Sequence, residues 1–292
     1  MTAANPPLIR CTDTGFRYPN GQRALTDVTA DIAAGEVLGV VGQNGSGKTT
    51  LVKHFNGLLK PTEGTVEVEG KDTRRDSVQR LSAKVGYVFQ NPNHQLFAKS
   101  VDEELAFGPK NLRLPEDEIR DRVEDALGFF GLTDVRDQHP YRLSFPIRKV
   151  VGMASIYAMA PQAMVLDEPT TGQDNAGILL VRTLIDRLRN EGITVVVVSH
   201  DMPLIAETTE RALVMYDTHL IADGTPQEVF ADQGVLKRTN LQRPQVARLC
   251  RRLSDERIPG DLLSVDAVAQ ALRGVLREVG GPVESSERPP TP

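Results

Sequence analysis

An α/β fold with a mixed, mainly parallel core sheet is predicted for this 292-residue chain from three features. Met164-Val165-Leu166 and Thr194-Val195-Val196-Val197-Val198 are continuous apolar runs, the pattern of strands covered on both faces. Helical patterns separate them, as βαβ units require. A glycine-rich turn, Gly42-Gln43-Asn44-Gly45-Ser46-Gly47-Lys48-Thr49-Thr50, joins a short apolar strand at Glu36 to Val41 to a helix start at Thr50 to Phe55.

The remaining elements follow in order. Leu8 to Ala34 alternates in short segments broken by Tyr18-Pro19-Asn20-Gly21, a turn signal that predicts an N-terminal antiparallel β subdomain. Pro61 to Gly64 is a turn, and Thr65 to Glu69 alternates as a half-buried strand. Lys84 to Gln90 is a further strand, ending at Gln90-Asn91-Pro92. Val101 to Tyr157 is mostly helical, with Pro115 before Glu116-Asp117-Glu118 at a helix start. These residues predict an inserted helical subdomain at about 92–160 within a main domain spanning 1–225. A charged, weakly amphipathic helical extension is expected at 226–279. The tail 280–292, rich in Pro, Ser and Glu, is expected to be disordered.

Composition narrows the function classes. A net charge of −5 argues against a nucleic-acid partner, which needs a basic face. Cys11 and Cys250 are far apart and in no C-x-x-C pair, so two reduced thiols of a cytosolic protein are expected rather than a disulfide or metal site. Met1 to Arg10 lacks a basic segment followed by an apolar one, so no secretory signal is expected. Apolar runs such as Ile193 to Val198 are too short to span a bilayer. A soluble chain is expected, with any membrane role peripheral.

The turn at 42–50 fits the phosphate-loop pattern G-x-x-x-x-G-K-[ST] at every required position. Its glycines let successive backbone N–H groups turn inward around phosphates, and the following helix adds its N-terminal dipole. Gly42, Asn44, Gly45, Ser46, Gly47, Lys48, Thr49 and Thr50 are therefore expected to bind a nucleoside triphosphate. Lys48 would reach the β/γ-phosphates and Thr49 would sit on Mg²⁺. Asp167 and Glu168 end a buried strand, where carboxylates are uncommon, on the sheet edge that faces nucleotide in such folds. Asp167 is expected to hold Mg²⁺ through water and Glu168 to polarise the attacking water; the plainer alternative is that both begin a turn at Pro169. His200 follows an apolar strand to the same edge and is a candidate γ-phosphate sensor. The other histidines (His54, His94, His139, His219) are read as surface residues. Gln90 at its strand end is a candidate contact for the attacking water or Mg²⁺.

In order, the phosphate loop, Gln90, Leu143-Ser144, Val165-Leu166-Asp167-Glu168-Pro169-Thr170, Gly172-Gln173-Asp174 and His200 resemble the ATPase subunit of an ATP-binding-cassette transporter over about residues 8–230. The resemblance implies a P-loop NTPase cassette fold, ATP and Mg²⁺ as cofactors, Gln90 as the Q-loop glutamine and Asp174 as the D-loop aspartate. It also implies that Tyr18 stacks on adenine, for which an aromatic face is suitable; packing within the hairpin is the alternative. Val88 to Phe97 and Val101 to Leu112 are similar to energy-coupling factor ATPases, which serve vitamin and cobalt or nickel uptake in prokaryotes. In that family the segment after the Q-loop forms part of a groove for a coupling helix of the membrane scaffold subunit. Asp102, Glu103 and Glu104 then meet basic residues of that helix, or else form a solvated acidic face. Gly224 to Phe230 and Gln245 to Leu249 also resemble this subfamily, whose C-terminal extensions contribute to dimer contacts.

One motif departs from the family. Its signature, L-S-G-G-Q, is here Leu143-Ser144-Phe145-Pro146-Ile147. That loop caps the nucleotide of the opposite subunit, and glycines allow close approach of backbone N–H groups to phosphate. Phe145 adds bulk and Pro146 has no N–H, although a proline in a first turn preserves the helix and its dipole. Ser144 is retained, and Arg148 or Lys149 offers replacement charge. The expected function is therefore ATP hydrolysis powering an energy-coupling factor importer for a vitamin or transition-metal ion, at the cytoplasmic face of the cell membrane. The expected partners are a transmembrane scaffold subunit, a substrate-binding membrane subunit and a second ATPase, a heterodimer being favoured over a homodimer. The alternatives are a conventional cassette importer and a nucleotide-gated dimerising module with little turnover.

Overall fold

The computed structural model describes residues 6–253, 259 and 262–279, in two compact units, 1–241 and 242–292. The tail expected to be disordered, 280–292, lies outside the described residues. In the first unit, β1 (Ile9–Arg17) and β2 (Arg23–Ile32) pair antiparallel across the predicted turn, where the Gly21 N–H donates to the Tyr18 carbonyl at 2.9 Å. Next come β3 (Val37–Gly42), α1 (Lys48–Phe55), β4 (Glu63–Val68) and β5 (Lys71–Asp72). The small antiparallel sheet is ordered β2-β1-β4-β5. After α2 (Val78–Lys84) and β6 (Val85–Val88), the helical subdomain is built from α3 (Val101–Asn111), α4 (Glu116–Phe130) and α5 (Phe145–Tyr157). The chain then returns through β7 (Ala163–Asp167), α6 (Asn175–Asn190), β8 (Thr194–Val198), α7 (Met202–Thr208), β9 (Arg211–Tyr216) and β10 (His219–Gly224).

The core sheet is ordered β10-β9-β3-β8-β7-β6. All its pairs are parallel except β10 with β9, which makes the sheet mixed and mainly parallel, as expected. Every residue of β3, β6, β7 and β8 is buried, consistent with helices covering both faces. β9 and β10 lie outside the strands expected from sequence. The short helices α8 (Pro226–Ala231) and α9 (Gln233–Thr239) pack on β9, α8 also on β10, so the first unit continues to Leu241. In the second unit, α10 (Gln245–Leu253) and α11 (Val265–Val279) bury Cys250 and Val268 among Val246, Leu262, Leu272 and Val275. Cys11 and Cys250 are buried and form no disulfide.

Two expectations about polar residues are corrected by packing. His54 is not at the surface: it is fully buried on the inner face of α1. Its Nδ1 lies 2.7 Å from the Thr50 carbonyl, and its ring packs edge-on against Phe16, with centroids 4.9 Å apart. His94, His139 and His219 are exposed. Burial, reinforced by the nearby Lys60 charge, pushes the His54 pKa down to about 4, against the pull of backbone carbonyls. Below the unfolded value near 6.5 the unfolded chain takes up a proton that the folded chain refuses until about pH 4. The stabilisation from neutral His54 is thus complete above pH 6.5 and lost as pH falls towards 4, amounting to about 2 kcal/mol by pH 5. Urea unfolding at pH 7.5 and 5.0 should show this slope in the wild type and a smaller one in His54→Gln; equal slopes would assign the proton to another group.

The acidic start of α3 is also mostly committed within the chain. Glu104 is buried, and its Oε2 accepts the Phe97 and Ala98 N–H groups at 2.9 and 2.8 Å. Asp102 pairs with Arg136. Exposed Glu103 accepts the Lys99 N–H at 3.3 Å. Glu104 is therefore neither a partner contact nor part of a solvated face.

Candidate nucleotide site

Because β3, β6, β7 and β8 run parallel, their C-terminal ends share one edge, where open α/β sheets bind ligands. Gly42 ends β3, Phe89 and Gln90 follow β6, Asp167 ends β7 with Glu168 next, and Ser199 and His200 follow β8. The loop out of β3 depends on its glycines. At Gly42, with φ of 145°, a Cβ would lie 2.1 Å from the Met215 carbonyl oxygen; at Gly47, with φ of 104°, it would lie 2.5 Å from that of Ala24. No larger residue fits either conformation.

A cleft of about 360 Å³ lies against this loop. Asn44, Gly45, Gly47, Lys48, Thr49 and Thr50 line it, with Tyr18, Arg23, Gln90 and Glu168 opposite. Lys48 Nζ donates to the Gly42 and Gln43 carbonyls at 2.8 and 2.9 Å. Burial lowers its pKa, while the Glu168 and Asp167 carboxylates pull the other way. The Ser46 hydroxyl is buried without a hydrogen-bond partner among the described residues, and Ser46, like Gly42, does not line the cleft. Tyr18 does two things at once: its ring packs edge-on against Phe16 at 4.9 Å and its hydroxyl lies 3.0 Å from Thr50 Oγ1, yet it still borders the cleft.

The acidic pair divides its contacts. Asp167 is 1% exposed and accepts Thr49 Oγ1 at 3.1–3.2 Å and the Tyr87 hydroxyl at 2.7 Å. Burial and the adjacent carboxylate raise the Tyr87 pKa, keeping it a donor. Glu168 Oε2 lies 2.7 Å from Nδ1 of His200, whose side chain is 66% exposed. A hydroxyl beside a carboxylate offers hard oxygen ligands of the kind Mg²⁺ takes. A carboxylate held against an imidazole offers a proton acceptor beside the phosphate loop. Tyr87 is not among the residues expected from sequence, and Lys149 is expected there only as replacement charge for the signature; no motif marks the contact that either makes with the acidic pair.

Ser144 and Asp174 lie apart from this cleft. Ser144 caps α5 without a side-chain hydrogen bond to the helix, and Asp174 Oδ1 caps α6 by accepting the Gly177 N–H at 2.8 Å. The altered signature is packed in place. The Phe145 ring faces Gly172, where a Cβ would come within 3.1 Å of it, and the Pro146 carbonyl accepts Gln173 Nε2 at 3.1 Å. Proline sits in the first turn of α5, and the helix forms. Lys149 does not supply replacement charge to this loop: it is buried and donates to the Glu168 and Thr171 carbonyls. Arg148 donates to Asn93 Oδ1 at 2.8 Å and lies over the Tyr141 and Phe145 rings.

A phosphate loop feeding a mainly parallel sheet, with a helical subdomain inserted before the acidic strand, defines a cassette-type P-loop ATPase. Residues 25–171 match the family model for ABC transporters, and the chain belongs to that family. It is 43% identical over 249 residues to the energy-coupling factor transporter ATP-binding protein EcfA of Methanothermobacter thermautotrophicus, covering 84% of this chain and 80% of the relative. It is 40% identical to a like-named protein of Caldanaerobacter subterraneus, covering 90% and 98%. Among solved structures, cbiO1 of Clostridium perfringens, part of the ABC transporter complex cbiONQ, aligns with a TM-score of 0.71 and 35% identity over 85% of this chain and 100% of that one. A dimeric ATP-binding cassette in a post-hydrolysis state bound to ADP and Pi aligns with a TM-score of 0.69 and 26% identity, over 75% and 98%. The activity of the chain is ATP hydrolysis coupled to transport.

Proposed function

We propose that this chain is the ATP-hydrolysing subunit that powers an energy-coupling factor importer for a vitamin or transition-metal ion. The observation that carries the hydrolytic assignment is the pairing of Glu168 with His200 at 2.7 Å beside the cleft that Lys48, Thr49 and Gln90 line. In this reading the loop N–H groups and Lys48 bind the β- and γ-phosphates, and Tyr18 stacks on adenine. Glu168 takes the proton of the attacking water, while His200 holds the carboxylate and senses the γ-phosphate. Thr49 and Asp167 would hold Mg²⁺ with Gln90 nearby, and the ion would offset charge on the phosphates. Asp167 is fixed for that role by Tyr87.

The partners follow from two surfaces. Next to the Q-loop lies an apolar groove of about 430 Å³, lined in part by Leu58, Val78, Phe89, Phe97, Phe107 and Met159. Phe97 and Phe107 expose 59% and 46% of their surface and stack edge to face at 4.6 Å. Exposed aromatics in a groove suit a hydrophobic helix, which supports docking of a transmembrane scaffold subunit that works with a substrate-binding membrane subunit. No helix among the described residues is long and apolar enough to cross a membrane. In this reading the chain acts peripherally, at the cytoplasmic face, docked on those membrane subunits. The second surface is the altered signature. Phe145 and Pro146 put bulk, and no N–H at position 146, where the opposite nucleotide would be capped. This favours a heterodimer with a second ATPase that contributes an intact signature to the site formed by this chain's own phosphate loop. The same departure favours, as a second reading, a nucleotide-gated module with little turnover.

Affinity purification of the chain from detergent-solubilised host membranes should return a scaffold subunit, a small substrate-binding membrane protein and a different ATPase chain. Recovery of this chain with no membrane protein would reject the importer assignment. Recovery with the membrane subunits but no second ATPase would reject the heterodimer.

A further inference from the structure

We propose that Lys149 is a positioning residue for Glu168: from the helix that begins at the altered signature, its ammonium fixes the backbone from which that carboxylate projects. The proposal rests on the reading of Glu168 as general base. Glu168 has φ of 52°, a left-handed conformation that a non-glycine residue keeps only when its surroundings hold it there. One end of the residue is held by β8, since its N–H donates to the Val198 carbonyl at 2.8 Å. At the other end its carbonyl accepts Lys149 Nζ. The same ammonium donates to the Thr171 carbonyl at 3.1 Å, and the Thr171 N–H points back to the Glu168 carbonyl at 3.3 Å. Lys149 thus closes the turn from Glu168 to Thr171 from beneath, while the Glu168 side chain faces His200.

Such a lysine is costly to keep. It is 1% exposed, and burial pushes its pKa down to about 8 although the Glu168 and Asp167 carboxylates pull it up. Its named acceptors are two neutral carbonyls, and a buried charge is tolerated only where hydrogen bonds hold it. An apolar residue in this helix would pack without that penalty. What the ammonium adds is a fixed distance between α5 and the Glu168 peptide. The helix that presents Ser144 to a partner's nucleotide also sets the position of this chain's own base. The loss of the signature glycines therefore leaves this link intact.

The test uses the full chain in its membrane-bound assembly. Lys149→Met keeps the stem volume and removes the donors; it is expected to lower kcat for ATP about 10- to 100-fold, the scale of a small misplacement of a reacting group. KM and the Kd for ATP should stay within about twofold, and Lys149→Arg, which retains donors, should recover part of kcat. Combined with Glu168→Gln, Lys149→Met should lower kcat no further. A fall in ATP affinity matching the fall in kcat would mean a merely structural role and overturn the proposal. Unchanged kcat in Lys149→Met, with Glu168→Gln inactive, would overturn it and leave the base assignment standing. Turnover surviving in Glu168→Gln would instead remove the base assignment. Should Lys149→Met fail to fold, Lys149→Gln, which keeps one donor group, is read by the same split between kcat and KM.

Discussion

Glu168→Gln is expected to lower kcat for ATP hydrolysis by about 10²- to 10⁴-fold, the contribution of a positioned general base, with ATP affinity little changed. The amide has the shape of the carboxylate, so the turn from Glu168 to Thr171 and the contact with His200 at 2.7 Å can persist while the proton acceptor is lost. Multiple-turnover kinetics of wild type and variant in the purified assembly, with Kd for ATP measured alongside, check this. Turnover insensitive to the substitution would show that another group activates water. A wild-type chain that binds ATP yet completes no second turnover would favour the nucleotide-gated module instead.

Lys48→Met is expected to act on binding. Lys48 lies in the buried phosphate loop, its ammonium held by the Gly42 and Gln43 carbonyls. In the nucleotide complex it would trade those carbonyls for phosphate oxygens. Removing one partner of a desolvated charge pair costs 2–5 kcal/mol, so the Kd for ATP should rise about thirty-fold or more. The fold should hold, because methionine keeps the packing of the stem and removes an ammonium that burial disfavours. Nucleotide titration beside thermal unfolding checks both halves. Loss of affinity together with collapse of the melting temperature would mean that the lysine serves the loop rather than the ligand.

The phosphate loop was legible because its function needs consecutive backbone groups: nine neighbouring residues, 42–50, carry the whole pattern. Asp167, Glu168 and His200 were legible for a related reason. Each follows an apolar strand, and parallel strands of one sheet end on one edge. Other features escaped because their neighbours are distant in sequence. Tyr87 matters through Asp167, eighty positions away, and Lys149 through the Glu168 carbonyl. The burial of His54 is not legible in the sequence, because Leu51, Val52 and Phe55 put it on the buried face of α1, a face that eight residues mark weakly. Glu104 stands in an acidic triplet, and only the folded loop at Phe97 and Ala98 shows why that carboxylate is buried.

The sequence by itself determined the class of sheet, the phosphate loop, the order of the motifs and the departure at Phe145-Pro146. Each is written in local composition, in spacing along one element, or in the periodicity of burial. The tertiary structure alone decided which side chains hold others in place: Tyr87 on Asp167, Lys149 on Glu168, and Phe145 against Gly172. These contacts join residues from separate strands, helices and loops. Hydrogen bonding and close packing act over a few ångströms of space, and only the complete fold brings such residues within that range.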